Sequence, residues 1–333
     1  MKLRVGIIGL GVGEMHIEGY AKHPAAQVVA LCDFNNQRLS EAKKKYPDMR
    51  CVQNANDILK ASDIDVVTIA SYDNYHHQQI LTAIEHGKHI FVEKPLCLHS
   101  SEARDIRKIL NRNKNLKISS NLILRKCPRF AEIHRRISLG LMGEIFSIEG
   151  SYDYGRRHKI INSWRGAIDS YSGICGGGVH IIDLFLWFSG QKVSELMAYG
   201  NQIVMKGTQF RYKDSVTAIL QFEKGATAKV SVHLGSVTPH YHELNVYGTK
   251  ATFMNNFGRP LFFSSDDPSR EPEVLTQEYP GVHKGALIYN FIESIVSGEK
   301  LEICVEDIFA AMSICFAINQ SLESGKKVKV KYI

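Results

Sequence analysis

Residues 3–16 read Leu-Arg-Val-Gly-Ile-Ile-Gly-Leu-Gly-Val-Gly-Glu-Met-His, an apolar run closed by glycines at 9, 11 and 13 and followed by a helix-compatible stretch. Few folds accept that order. A glycine can turn the chain at the end of a strand in a conformation other residues avoid, so the strand passes at once into a helix. A strand that leaves through a helix is committed to a parallel neighbour, since parallel strands need a crossover connection. The next hundred residues repeat the alternation. Apolar runs at 3–8, 28–32, 66–70, 89–92 and 116–119 predict strands, and amphipathic stretches at 14–22, 36–45, 56–60, 77–86 and 101–113 predict helices, the last capped by Ser100. The pattern predicts a Rossmann-like doubly wound parallel sheet, an α/β class.

After Asn121 the hydrophobic period becomes two, with strands predicted at 145–154, 215–222, 227–234 and 243–247. Helical stretches remain at 130–138, 180–187, 288–297 and 305–323. The C-terminal part therefore reads as an α+β domain built on a largely antiparallel open sheet. A chain of 333 residues exceeds one compact core. We expect two domains, 1–121 and 122–333.

Composition narrows the class. There are no 18 consecutive apolar residues, so no membrane span is expected. Seven cysteines without a Cys-x-x-Cys pair argue against a disulfide framework and point to a reducing, cytoplasmic setting. His76-His77 and His240-Tyr241-His242 lack carboxylates at ligand spacing, and no metal is expected. The formal charge is 41 − 34 = +7, and the segment from Arg125 to Arg165 holds nine cations against four acids, an excess of +5. It carries no interleaved aromatic platforms and no nucleic-acid motif. A small anionic ligand suits it better.

The glycine turn has the context of a dinucleotide fingerprint: Gly9 for the tight turn, Gly11 for approach of the pyrophosphate, Val12 in the same loop, and Gly13. The third glycine falls one place early and Glu14 takes its usual position, so the glutamate must turn outward. Asp33 follows the second strand, 33 − 13 = 20 residues on, where an acid accepts from the adenosine ribose and repels a 2′-phosphate. NAD is favoured and NADP is less favoured, with Arg38 as the reservation. Capping of the next helix is the alternative role for Asp33. Ser71 and Glu93-Lys94-Pro95 end the third and fourth predicted strands, on the edge where ligands bind in open α/β sheets.

Taken together, Gly9-x-Gly11 with His16, the stretch 65–70 leading to His76, the run 87–95 ending Glu93-Lys94-Pro95, and Gly176-Gly177-Gly178-Val179-His180-Ile181-Ile182-Asp183 resemble the Gfo/Idh/MocA family along essentially the whole chain. The resemblance implies a cofactor-binding Rossmann domain over 1–121, a second domain over 122–333 that binds substrate and makes homo-oligomer contacts, and reversible hydride transfer at a sugar or cyclitol carbon. It places Lys94 at the reacting hydroxyl and the nicotinamide region, His76 on the nicotinamide side, and His180 as acid/base. An imidazole can accept the alcohol proton and an ammonium can stabilise developing oxygen charge. Many relatives carry an aspartate where this chain has Gly176. Asp183, one turn beyond His180, is then a candidate catalytic partner, or a buried polar residue fixing the helix; Asp169 and Tyr171 lie upstream. Arg156, Arg157, Lys159, Trp164 and Arg165 form a loop suited to a sugar carrying phosphate or carboxylate, for example a nucleotide sugar. The residues thus predict an NAD-dependent oxidoreductase acting on CH-OH groups of a sugar. The alternatives are an NAD-retaining glycoside hydrolase and a non-catalytic nicotinamide-binding regulator.

Overall fold

The computed structural model describes residues 2–333 and divides into two compact units. The first comprises the residues up to Ile123, His283–Phe309 and Ile333; the second comprises Leu124–Val282 and Ala310–Tyr332.

In the first unit, β1 (Leu3–Ile8), β2 (Ala26–Cys32), β3 (Arg50–Val52), β4 (Val66–Ile69), β5 (His89–Val92) and β6 (Ile118–Ser120) form one sheet in the order β3-β2-β1-β4-β5-β6. Every pairing is parallel. All four residues of β4 are buried, which is why the central strands read as unbroken apolar runs: helices cover both faces. The strand order reverses between β1 and β4, creating the crevice at which such sheets bind ligands. The predicted α/β class holds. β3 escapes prediction because it is a three-residue strand with Arg50 exposed and no buried residue. The helix Ser100–Leu110 is capped one residue earlier than predicted, at His99, because the Glu102 carboxylate accepts the free N–H groups of Leu98 (2.9 Å) and His99 (3.0 Å).

The sequence pattern suggests one boundary near 121, whereas His283–Phe309 groups with the first unit. Its helix Ile288–Val296 buries Ile288, Phe291 and Ile292. The Phe291 ring lies 5.5 Å from that of Phe91 in β5, and Glu293 Oε2 is 2.9 Å from His23 Nε2. Apolar anchors on a helix distant in sequence thus complete the first core.

The second unit is built on a nine-stranded sheet. Its strands are β7 (Ile145–Asp153), β8 (Val193–Asn201), β9 (Ser215–Phe222), β10 (Thr227–His233), β11 (Tyr241–Gly248), β12 (Thr252–Asn255), β13 (Pro260–Phe263), β14 (Glu273–Val274) and β15 (Val328–Lys329). The order is β14-β13-β12-β11-β7-β10-β9-β8-β15, antiparallel throughout except where β7 meets β10. Alternation puts Ile148, Gly150 and Tyr152 of β7 on the inner face, beside Val246, Leu244 and His242 of β11. The helix Val179–Ser189 crosses that face where Gly150 leaves room: a Cβ there would stand 2.7 Å from Ile181 Cγ2. Among the described residues no helix is long and apolar enough to cross a membrane.

Phe291 is fully buried, so Phe291→Ala should lower stability by about 3–5 kcal/mol. Urea midpoints of the full chain measure it; a loss under about 1 kcal/mol would show that the returning segment is not part of the first core.

Candidate active site

Gly9 takes φ +90° and its N–H donates to Cys32 O at 2.8 Å. A Cβ there would collide with the Ala70 carbonyl, so conformation and space both demand glycine. Gly13 lets the next turn close on the sheet, since a Cβ would stand 2.8 Å from Ile7 Cγ2 and 3.1 Å from Ala70 Cβ. The early third glycine is accommodated by a 3-10 turn, Gly13–Met15, capped by Val12 and leading into the helix His16–Ala21. At Gly11 a Cβ would meet only Arg38 Nη1, at 3.4 Å, which leaves the loop open to a pyrophosphate. Glu14 turns aside: its Oε1 accepts from Lys45 Nζ at 2.7 Å and from Tyr46 Oη at 3.3 Å.

Asp33 is buried at the end of β2. Its Oδ2 accepts the Leu10 N–H and its Oδ1 the Asn35 N–H, both at 2.8 Å, so this carboxylate braces the glycine loop. Helix capping falls to Asn35, whose Oδ1 accepts the Arg38 N–H at 3.0 Å. Arg38 Nη1 stands 3.9 Å from Asp33 Oδ2. Phe34, 59% exposed, meets Tyr72 edge-on at 5.3 Å. Both rings follow a strand's C-terminal end, and together they offer an apolar wall suited to a nucleotide base. These features fit NAD.

The loops after β4 and β5 are tied together by His76, which is fully buried with Nδ1 2.7 Å from Pro95 O and Nε2 3.2 Å from Ser71 O. Ser71 Oγ donates to Gln79 Oε1 at 2.7 Å. Beside Lys94, Glu93 Oε1 accepts from Asn121 Nδ2 at 2.6 Å and lies 3.1 Å from His16 Nε2. Burial pushes this carboxyl upward, but the hydrogen bond and charge of His16, the charge of Lys94 and the Asn121 amide outweigh it and hold the group at about 2. Asn121 Nδ2 also donates to Lys284 O at 3.1 Å. An ionised carboxylate therefore sits below the Lys94 position, held by the ends of three structural elements.

In the second unit, His180 opens the helix Val179–Ser189 just after a π-turn, Ile174–Gly178. The Tyr152 ring fills the space a side chain at Gly177 would need. His180 faces His242 edge-on with ring centres 6.3 Å apart. His242 is held by Tyr279, whose Oη accepts the His242 N–H at 2.8 Å and lies 2.7 Å from Nδ1. Burial raises the Tyr152 and Tyr279 phenols above their ordinary value, so both stay neutral. Asp183 engages Arg125 with both oxygens, Oδ2 to Nε at 2.9 Å and Oδ1 to Nη2 at 2.6 Å, in a buried bidentate pair.

A family model for oxidoreductases with an NAD-binding Rossmann fold matches residues 3–121, and one for the GFO/IDH/MocA C-terminal domain matches residues 130–254. The chain belongs to the Gfo/Idh/MocA oxidoreductase family. It is 24% identical to myo-inositol 2-dehydrogenase of Thermotoga maritima, with 99% of each chain covered. It is 25% identical to a glycosyl hydrolase family 109 protein of Bacteroides fragilis, covering 86% of this chain and 69% of that one. A structure of levoglucosan dehydrogenase in complex with NADH and levoglucosan shares the fold, with TM-score 0.88, 22% identity, and 99% and 100% of the two chains covered. The first unit of this Gfo/Idh/MocA protein is an NAD-binding Rossmann domain.

Within that family frame, at least three of the nine cations of the basic segment are answered by acids, two of which lie outside it. Arg125 pairs with Asp183, and Arg135 and Arg136 with Glu132; Arg136 also reaches Glu273, and Arg129 donates to Asn255 Oδ1 and Gln277 O. Arg156, Arg157 and Lys159 are exposed, Arg156 lying over the Tyr154 ring. Arg165 is half-buried, its guanidinium 4.3 Å from the centre of the Trp164 ring. Residues that sequence reasoning does not assign to the site stand against those it does: Asn121 on Glu93, Arg125 on Asp183 of the His180 helix, and His242, read there only as a weak metal candidate, facing His180 with Tyr279 behind it. His16 stands in the sequence motif, and the structure supplies its partner, Glu93.

A glutamate of about 4.3 in the unfolded chain and about 2 in the folded one contributes stability fully present above the unfolded value. That contribution, about 3 kcal/mol, is lost as pH falls toward the folded value. Denaturant midpoints between pH 5 and pH 2 should fall more steeply for wild type than for Glu93→Gln; parallel curves would contradict the ionised network.

Proposed function

We propose that this protein is an NAD-dependent dehydrogenase that moves a hydride between nicotinamide and a secondary hydroxyl of a cyclic sugar or polyol. The observation that carries the reading is the presence of Lys94 beside the ionised Glu93 at the end of β5, together with His180 at a helix start facing His242. Bound NAD supplies the hydride acceptor. Lys94 stabilises charge on the alcohol oxygen and His180 takes the proton, while Asp183, anchored by Arg125, fixes the helix that presents His180. The glycine loop, Asp33 and the loops carrying Ser71 and His76 hold and shape the cofactor site. Relatives named for inositol and levoglucosan favour a ring bearing several hydroxyls. The open outer face of the second sheet, where Tyr199 and Ile219 stand exposed, is the surface proposed for homo-oligomer contacts.

Turnover of myo-inositol, scyllo-inositol and levoglucosan with NAD, followed at the NADH absorbance, tests the reading. His180→Ala should lower kcat by about 100-fold or more and leave NAD affinity within about twofold. Unchanged turnover removes His180 from the chemistry. The similarity to a family 109 glycosyl hydrolase supports a second reading, transient oxidation with retained NAD, which would release reducing sugar without net NADH.

An anionic sugar is the finer form of the proposal, with Arg165, half-buried against Trp164, as the cation proposed to meet it. Arg165→Ala should raise KM for a sugar acid by about tenfold, less at high salt, with no change for the neutral analogue. Equal KM values for both substrates would leave a neutral polyol as the substrate class.

A further inference from the structure

Position 176 stands four residues before His180, and residues so spaced share a helix face. The turn between them is the π-turn Ile174–Gly178, a form that recurs at functional sites. On that face residue 176 contributes no side chain. The phenol of Tyr171 stands there instead: a Cβ on Gly176 would lie 2.7 Å from Tyr171 Oη and 3.1 Å from its Cζ. Tyr171 is only 7% exposed, and its ring packs edge-on to Phe210 at 5.8 Å and tilted to Tyr212 at 6.5 Å. Tyr212 is itself fixed, its hydroxyl donating to Ile168 O at 2.7 Å. The Tyr171 hydroxyl is thus delivered, by a ring with little freedom, to the helix face that carries His180.

We infer that Tyr171 is a substrate-contacting residue whose hydroxyl bonds a sugar hydroxyl beside the one His180 deprotonates. The inference rests on the dehydrogenase reading and adds a group to it. A phenol both donates and accepts, which suits a neighbouring hydroxyl in either orientation, and it brings no charge next to the imidazole. A side chain of any size at 176 would compete for the volume the phenol fills, so glycine there and tyrosine at 171 form one arrangement. A phenylalanine would pack against Phe210 equally well; the hydroxyl is what brings a polar atom to this helix start.

Tyr171→Phe removes that oxygen alone. With whichever of myo-inositol, scyllo-inositol and levoglucosan the wild type oxidises, KM should rise by about tenfold or more, while NADH affinity stays within about twofold. The melting temperature should stay near that of wild type, because ring packing is kept. Gly176→Ala, which pushes the hydroxyl off the helix, should raise KM in the same way; if that variant fails to fold, Tyr171→Phe still decides. A KM within twofold of wild type in Tyr171→Phe overturns the inference, and if His180→Ala is inactive the dehydrogenase reading survives it. A wild type that oxidises neither these polyols nor a sugar acid with NAD removes the dehydrogenase reading, and this inference falls with it.

Discussion

A carboxylate buried at the edge of a parallel sheet must be ionised by its neighbours or neutralised by a proton, and Glu93 is held in the first condition. His16 follows β1, Glu93 follows β5 and Asn121 follows β6, so one charge gathers three chain segments at the sheet's C-terminal edge. Burial opposes that charge, and the hydrogen bonds and positive neighbours overcome it. The same bonds fix the adjoining residues of the chain. Lys94 leaves from a residue that cannot shift without breaking bonds to two other elements, and His76 clamps the next carbonyl, that of Pro95, onto the loop after β4. Polar groups, not only apolar packing, thus close the C-terminal ends of these strands.

In the second unit position is secured differently. The His180 helix approaches the sheet where β7 has a glycine, and is fastened by a buried Arg125–Asp183 pair rather than by an N-terminal side-chain cap. Such a pair contributes little net stability, because desolvation of two charges offsets their attraction, but it fixes geometry strongly once formed. The imidazole of His180 then faces that of His242, and His242 in turn meets the Tyr152 ring and the Tyr279 hydroxyl.

Much of the first unit is legible in the sequence because its information is local. A four-residue apolar run such as 66–69 can only be a buried strand once glycines and amphipathic stretches bracket it, and Gly9, Asp33 and Lys94 take their meaning from their places at strand ends. β3 is illegible since a three-residue edge strand has no period to read. The return of His283–Phe309 is illegible for another reason: an amphipathic helix shows that it has a partner, not which one. Partners such as Asn121 for Glu93 or Arg125 for Asp183 are long-range pairings, 28 and 58 residues apart in the chain, and no local spacing encodes them.

Charge shows the same limit more sharply. Counting residues between Arg125 and Arg165 yields an excess of +5, yet the acids that answer it lie partly outside the segment, at Asp183 and Glu273. A sum along the chain measures what is near in sequence, whereas the field at a site depends on what is near in space, with attraction falling as separation and screening grow. Of the cations that remain, those most exposed act through water and ions, and only a half-buried one such as Arg165 retains a strong field close by. The field this segment can lend to a bound anion therefore turns on where single side chains such as Arg165 stand, and not on the sum along the chain.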